Sequence, residues 1–201
     1  LIVLLMAVIV GAIGAVIGSG GAANSAEDYT YQAQVSEQTE SYRDMVEDYC
    51  EKYGIDDYVD LCLAVIEQES GGNPPDVMQT EQSYYNVNPP IDTVEESIDC
   101  GTHELSDCLT KAKSKSPNDI KGISLALQGY NFGSGYIDWA LKNYGCYSKE
   151  NAEIFSKKMC VELGYDSYGD VEYVPHVLRY YIANPETTVT NESADSILKE
   201  L

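Results

Sequence analysis

The sequence predicts an all-α domain preceded by an apolar helix. Apolar residues recur at helical spacing through most of the chain, and glycine or proline stop signals follow these segments. No stretch alternates with the two-residue period of a half-buried strand. The N-terminal run, residues 1–17, reads LIVLLMAVIVGAIGAVI, and residues 1–26 carry no charge. That run is at the short limit for a membrane-crossing helix, and residues 18–23 extend it. Gly21-Ala22-Ala23 equally suits a signal-peptide cleavage site. Residues 1–23 are therefore expected to be a membrane anchor or a signal segment, with the membrane met through residues 1–20. Residues 24–40 are polar and read as a stalk, and residues 41–183 as the folded domain.

Within the domain, a helix is expected through Tyr42, Met45, Val46, Tyr49, Cys50 and Tyr53, ended by Gly54. Asp56 or Asp57 can cap the next one. Its apolar positions are Tyr58, Leu61, Cys62, Ala64 and Val65, and Gly71-Gly72-Asn73-Pro74-Pro75 stops it after Ser70. Residues 71–91 read as loop. Thr93-Val94-Glu95-Glu96 is a capping-box signature that opens another helix. Asn118 can cap a helix through Ile120, Ile123, Leu127 and Tyr130, which Gly133-Ser134-Gly135 breaks. Three further helices are expected at 136–144, 148–163 and 171–182, with Pro175 in the first turn of the last. Residues 184–201 are rich in Thr, Ser and acids and read as a tail or the start of a linker.

Composition narrows the function. There are 33 acidic and 12 basic residues, a net charge of −21. That balance argues against nucleic acid, whose phosphates require Lys and Arg. Surface acids of this kind keep an exported protein soluble. The chain has 6 cysteines, no CxxC pair and 2 histidines, which argues against a zinc site. An even cysteine count in an exported chain points to disulfides, and six cysteines allow 15 pairings. Cys100–Cys108 and Cys146–Cys160 are close in sequence and are the first pairs expected. Trp139 and His176 read as structural, and His103 as a solvated residue on a polar helix face.

Glu69 is the candidate for chemistry. It ends a buried helix, where desolvation and the negative end of the helix dipole both favour the protonated acid. A glycosidase needs such an acid to protonate the leaving oxygen. Alone, the position favours a solvated helix-end carboxylate over a catalytic one. Ser70 has no His and Asp spacing to make it a nucleophile.

The neighbouring motifs decide the matter. Glu69-Ser70-Gly71-Gly72 resembles the Glu-Ser motif of soluble lytic transglycosylases and goose-type lysozymes. Val77-Met78-Gln79 resembles their Gly-Leu-Met-Gln motif, Gln128-Gly129-Tyr130-Asn131 their Ala-Tyr-Asn motif, and Tyr173-Val174 a Tyr-Val motif, all in the family's order. The strings PDVMQ, QGYNFGSGYIDW and YGDVEYVPHVLRYY are similar to the muramidase domain of wall hydrolases carried by conjugative transposons of Gram-positive bacteria. Asp76 and Val77 stand where the broader family has Gly-Leu, a change the narrower group shares. The resemblance implies a lysozyme-like helical fold and a peptidoglycan N-acetylmuramidase, with Glu69 as catalytic acid. Ser70, Met78, Gln79, Tyr130, Asn131, Tyr173 and Tyr180 would be substrate contacts, although each also has a plain packing role. Glu81 and Asp76 are candidates for a second carboxylate, and Asp92 lies in the same loop. No metal or organic cofactor is implied. The resemblance further implies an extracellular position at the membrane or wall, a conjugation apparatus as partner, and commonly a C-terminal cysteine-peptidase domain. The alternatives are a lytic transglycosylase leaving 1,6-anhydro ends, and a non-catalytic glycan-binding scaffold.

Overall fold

A computed structural model describes residues 30–184, apart from 84 and 87–89. The expected anchor and the tail from 185 onward lie outside these residues. Among the described residues, no helix is long and apolar enough to cross a membrane.

The domain is built around one helix. α3 (Val59–Ser70) follows a single 3-10 turn at Asp56–Tyr58, and its residues Leu61 through Ile66 are all fully buried. A helix that is apolar on every side must be surrounded. α2 (Arg43–Tyr53) packs on α3 and ends at Gly54 in the left-handed conformation, as expected for a C-terminal cap. α4 (Val94–Ala112) lies across α2, and its capping box is complete: Thr93 accepts from the Glu96 backbone, and Glu96 reaches back to Thr93. α5 (Ile120–Phe132) packs between α4 and two shorter helices, α6 (Gly135–Asn143) and α8 (Tyr173–Leu178). α7 (Lys149–Leu163) lies at the periphery, where Phe155 joins Phe132, Tyr136, half-buried Trp139 and Tyr168 in an aromatic cluster. The cap of α5 is Asp119, not Asn118; its carboxylate accepts from the Gly122 and Lys115 backbones.

The domain is mostly helical but not all-α. β1 (Thr30–Ala33) pairs antiparallel with β2 (Tyr181–Asn184), Thr30 opposite Asn184 and Ala33 opposite Tyr181. The helix expected at 171–182 therefore stops at Leu178, and Tyr181-Ile182 enters the ribbon. Aromatic and β-branched residues favour that surface, and pairing overrides the helical spacing of Tyr173 and Tyr180. Tyr31 stacks on Tyr181 at 5.0 Å. Part of the expected polar stalk is thus built into the domain, and a short helix, α1 (Glu37–Glu40), follows β1. Ser36 caps α1, and the Glu67 carboxylate of α3 accepts from the Ser36 backbone at 3.2 Å, from its hydroxyl at 2.9 Å and from Thr39 at 2.5 Å.

Two side-chain expectations change. His103 is not simply solvated; it is stacked between Tyr53 at 4.2 Å and Tyr85 at 3.6 Å. The two sequence-adjacent cysteine pairs are geometrically excluded. Cys100 and Cys108 share α4 and are about 12 Å apart along its axis, whereas bridged Cα atoms lie within about 7 Å. Cys160 lies eleven residues into α7, about 16 Å from its start, whereas the Cys146 carbonyl accepts from Asn151 in the first turn. None of the six cysteines is bridged in this structure.

Gly101 on α4 permits a close approach in the core. A Cβ there would lie 2.5 Å from Met78 Sδ and 2.7 Å from Met78 Cβ. Met78 is fully buried and its Cβ cannot swing away. Gly101→Ala is expected to destabilise by about 1–3 kcal/mol, lowering Tm by about 3–10 °C in a thermal melt. An unchanged Tm would show that the 76–81 loop is not pinned by this contact.

Candidate active site

The site begins at the C-terminal end of α3. The apolar run Leu61 to Ile66 keeps the helix inside the protein, and Gly71 ends it at φ 62. Glu69 is carried to the last turn without escaping to solvent. Burial pushes its carboxyl up from 4.5 to about 7, and the charges of Asp76, Asp170 and Glu104 act in the same direction. The Tyr173 hydroxyl donates to Glu69 Oε1 at 2.5 Å, which opposes the rise without cancelling it. Burial also works to raise Glu67, but its hydrogen bonds from Thr39 and Ser36 hold it below its ordinary value. Two acids on one helix are thus shifted in opposite directions, Glu69 upward by burial and Glu67 downward by its hydrogen-bond donors.

Ser70 ties this helix end to the following loop. Its hydroxyl donates to the Val77 carbonyl at 2.8 Å and accepts from the Gly72 backbone at 3.1 Å. Asp76 then organises the loop: its carboxylate accepts from Thr80 N at 2.8 Å, Thr80 Oγ1 at 3.0 Å, Ser97 Oγ at 2.7 Å and Glu81 N at 3.0 Å. Met78 is anchored through its backbone, its N–H donating to Ser97 at 2.9 Å and its carbonyl accepting from Tyr130 at 3.0 Å. Gln79 follows in the left-handed region at φ 53, and its side chain donates to the Asp76 carbonyl at 2.8 Å.

The opposite wall comes from the end of α5 and the segment before α8. Asn131 Oδ1 accepts from Asp170 N at 2.7 Å, which leaves the amide nitrogen as the end of the group available to the cleft. Gln128 donates to the Asp170 carbonyl at 2.9 Å, and Tyr168 donates to the Phe132 carbonyl at 2.7 Å. Only glycine fits at 169. Its φ is +57, and a Cβ would lie 2.4 Å from Phe132 Cδ1 and 2.8 Å from Asn131 Oδ1. Asp170 also meets His176 Nδ1 at 2.7 Å, so His176 braces the wall from behind.

Between these walls lies a cleft of about 510 Å³, lined by Glu69, Asp76, Gln79 and Glu81 on one side and by Tyr130 and Asn131 on the other. The structure therefore brings together residues some sixty positions apart in sequence. Ser70 and Tyr180 do not line the cleft, Met78 is fully buried, and Tyr173 is 2% exposed. Tyr173 acts on Glu69 from inside the core. Tyr180 carries the Arg179 guanidinium over its ring at 4.6 Å. Tyr130 spends its hydroxyl on Met78, not on Glu69. Sequence reading missed Glu104, a cleft carboxyl pushed up chiefly by burial, and the Tyr168–Asp170 segment. That segment opens the string YGDVEYVPHVLRYY, whose resemblance marked it without assigning its residues a place at the site. Among the described residues, no group of three or more His, Cys, Asp and Glu side chains is disposed to hold a metal ion.

Comparison with known proteins gives a consistent picture. A family model described as lysozyme-like matches residues 36–191. The chain is 37% identical over 146 residues to the bifunctional muramidase/DL-endopeptidase CwlT of Bacillus subtilis, covering 73% of this chain and 42% of CwlT. It is 30% identical over 138 residues to a pneumococcal vaccine antigen A homolog of Streptococcus pyogenes, covering 69% of this chain and 67% of that protein. A crystal structure of a protein similar to an NLP/P60-family lipoprotein, from Staphylococcus aureus, superimposes with a TM-score of 0.65 at 30% identity, over 83% of this chain and 60% of that one. The chain thus spans less than half of CwlT and well over half of the other two.

The raised acid has a consequence for stability. An unfolded glutamate titrates near 4.5 and the folded Glu69 near 7, so the native state holds this proton more tightly. Its contribution is full below pH 4.5 and is lost as pH rises through 7. Gln mimics the protonated acid. Glu69→Gln is therefore expected to be more stable than the parent by about 1–3 kcal/mol at pH 8 and equal to it at pH 4. Denaturant melts at the two pH values read this directly, and a variant equally stable or weaker at pH 8 would contradict the burial of the charge.

Proposed function

The chain belongs to the lysozyme-like family, and from that premise we propose that it cleaves the glycan strands of peptidoglycan, with Glu69 as the general acid. The observation that carries this reading is a carboxyl held near pH 7 at the wall of an open cleft. A proton donor works best when its pKa lies close to the working pH. The bond is proposed to be the β-1,4 link from N-acetylmuramic acid to N-acetylglucosamine, which makes the enzyme an N-acetylmuramidase. The muramidase named in CwlT supports this choice.

In the proposed reaction, Glu69 gives its proton to the glycosidic oxygen and the C–O bond breaks toward an oxocarbenium-like state. Tyr173, kept neutral chiefly by burial, then donates its hydrogen bond to the carboxylate that remains. Asp76 faces the developing positive charge. Its oxygens already accept four hydrogen bonds, so it acts through fixed charge rather than as a base. Among the described residues no hydrogen bond engages the Glu81 carboxylate, so Glu81 is the group assigned to orient the attacking water. The amide nitrogen of Asn131 is placed to meet the substrate's N-acetyl carbonyl. A substrate of this kind puts the enzyme outside the cytoplasm. The apolar run at 1–17 would hold it at the membrane, for local opening of the wall during conjugative transfer.

Glu69→Gln is expected to lower turbidity clearing of purified peptidoglycan by about 10²–10⁴-fold while the protein stays folded. Mass spectrometry of the fragments should show reducing muramic ends. Anhydro ends would establish transglycosylation instead, and tight binding without release would establish a scaffold. Wild-type rates in folded Glu69→Gln would remove the assignment.

Tyr173→Phe tests the tuning of the acid. The Tyr173 hydrogen bond lowers the Glu69 pKa, so its loss moves the basic limb of the rate profile from about 7 to higher pH. A limb that stays in place, or moves to lower pH, would assign it to another group.

A further inference from the structure

Cys50 and Cys62 lie face to face in the core. Cys50 sits in the last turns of α2 and Cys62 in the first turn of α3, and their sulfurs are 3.5 Å apart. Both are fully buried. The other four cysteines have no comparable geometry: Cys100 and Cys108 are separated along one helix, and Cys160 lies near the far end of α7 from the Cys146 carbonyl, which meets Asn151 in its first turn. We propose that Cys50 and Cys62 form the structural disulfide of this domain, closing the α2–α3 corner.

The step balances with an ordinary partner. Each thiol gives up its hydrogen, one S–S bond forms, and a small-molecule disulfide such as oxidised glutathione is reduced to two thiols. The attacking species is a thiolate. In the folded protein the Cys62 thiol is pushed well above its ordinary value, first by its hydrogen bond with Cys50 and then by burial. Water and reagent are also excluded from the site. The bond is therefore made while the α2–α3 corner is still open during folding, and the closed core then shields it from reductant. It enters the fold at the first turn of the helix whose last turn carries Glu69, and neither sulfur lines the cleft.

The test is refolding of the full chain from denaturant, in mild detergent, with a glutathione redox pair present. Free thiols are then alkylated and the unreduced protein is mapped by peptide mass. The expected result is one linked peptide joining Cys50 to Cys62 and alkyl groups on the other four cysteines. Reducing the bond should lower Tm by about 5–10 °C. The Cys50→Ala/Cys62→Ala double variant, refolded alongside, should show the same loss with no further effect of reductant. A folded chain in which Cys50 and Cys62 are both alkylated, or in which either is joined to a different cysteine, overturns the proposal. The mapping is made on the unmutated chain, so it decides the question even if the double variant fails to fold.

Discussion

The structure turns on keeping one carboxylic acid largely buried at the end of a helix while it still lines the cleft. Burying a carboxylate without a cation is costly, and a group in that position keeps its proton instead. The fold enforces the condition from several directions. The run Leu61 to Ile66 of α3 is fully buried, which holds the end of the helix in place. Tyr173 closes over Glu69 from α8, and the 76–81 loop is fastened to α4 through Asp76, Ser97 and the Met78–Gly101 contact. Other acids surround the site, and Asp76, Asp170 and Glu104 each make the loss of its proton harder. The acidic composition of the chain therefore has a local counterpart, in which like charges add to burial in holding Glu69 protonated.

Elements with strong local signals were legible in the sequence. The helix ending at Gly54, the buried helix ending at Gly71 and the capping box at Thr93 all lie where composition and spacing put them, because each boundary is set by its own residues. The two strands were not legible. At four residues each they are too short to show a period, and they exist because each supplies the other's hydrogen bonds against the domain. The same reasoning explains the helix predicted through residue 182. Its spacing is helical, but Tyr181 gains more from pairing with Ala33 than from another turn.

The candidate site divides in the same way. Glu69 was singled out from its helix and its motif, and Gln79, Tyr130 and Asn131, singled out by theirs, line the same cleft. Met78 and Tyr173 are different. Both are buried and act through the groups they hold, Met78 through its backbone and Tyr173 through the Glu69 carboxyl. A motif marks a residue without saying which side of the wall it stands on. Glu104 had no motif to announce it, and Asp170, although inside the string YGDVEYVPHVLRYY, had no role assigned, since their positions depend on how α4 and the segment before α8 meet the cleft. The cysteines make the point most directly. Nearness in sequence favoured pairs that helix geometry forbids, and the close contact joins two different helices.

The small ribbon has a mechanical consequence. Thr30 opens β1, Asn184 closes β2, and the two are paired opposite each other. The chain thus enters and leaves the domain at the same end of the same ribbon. Tension between these two points peels the ribbon open one rung at a time, the weakest way to load an antiparallel pair, and only afterwards reaches the helices. The rungs at Thr30 and Gln32 act as a sacrificial link ahead of α3. A pull along the chain is spent on opening that link before it can tilt the helix that carries the acid.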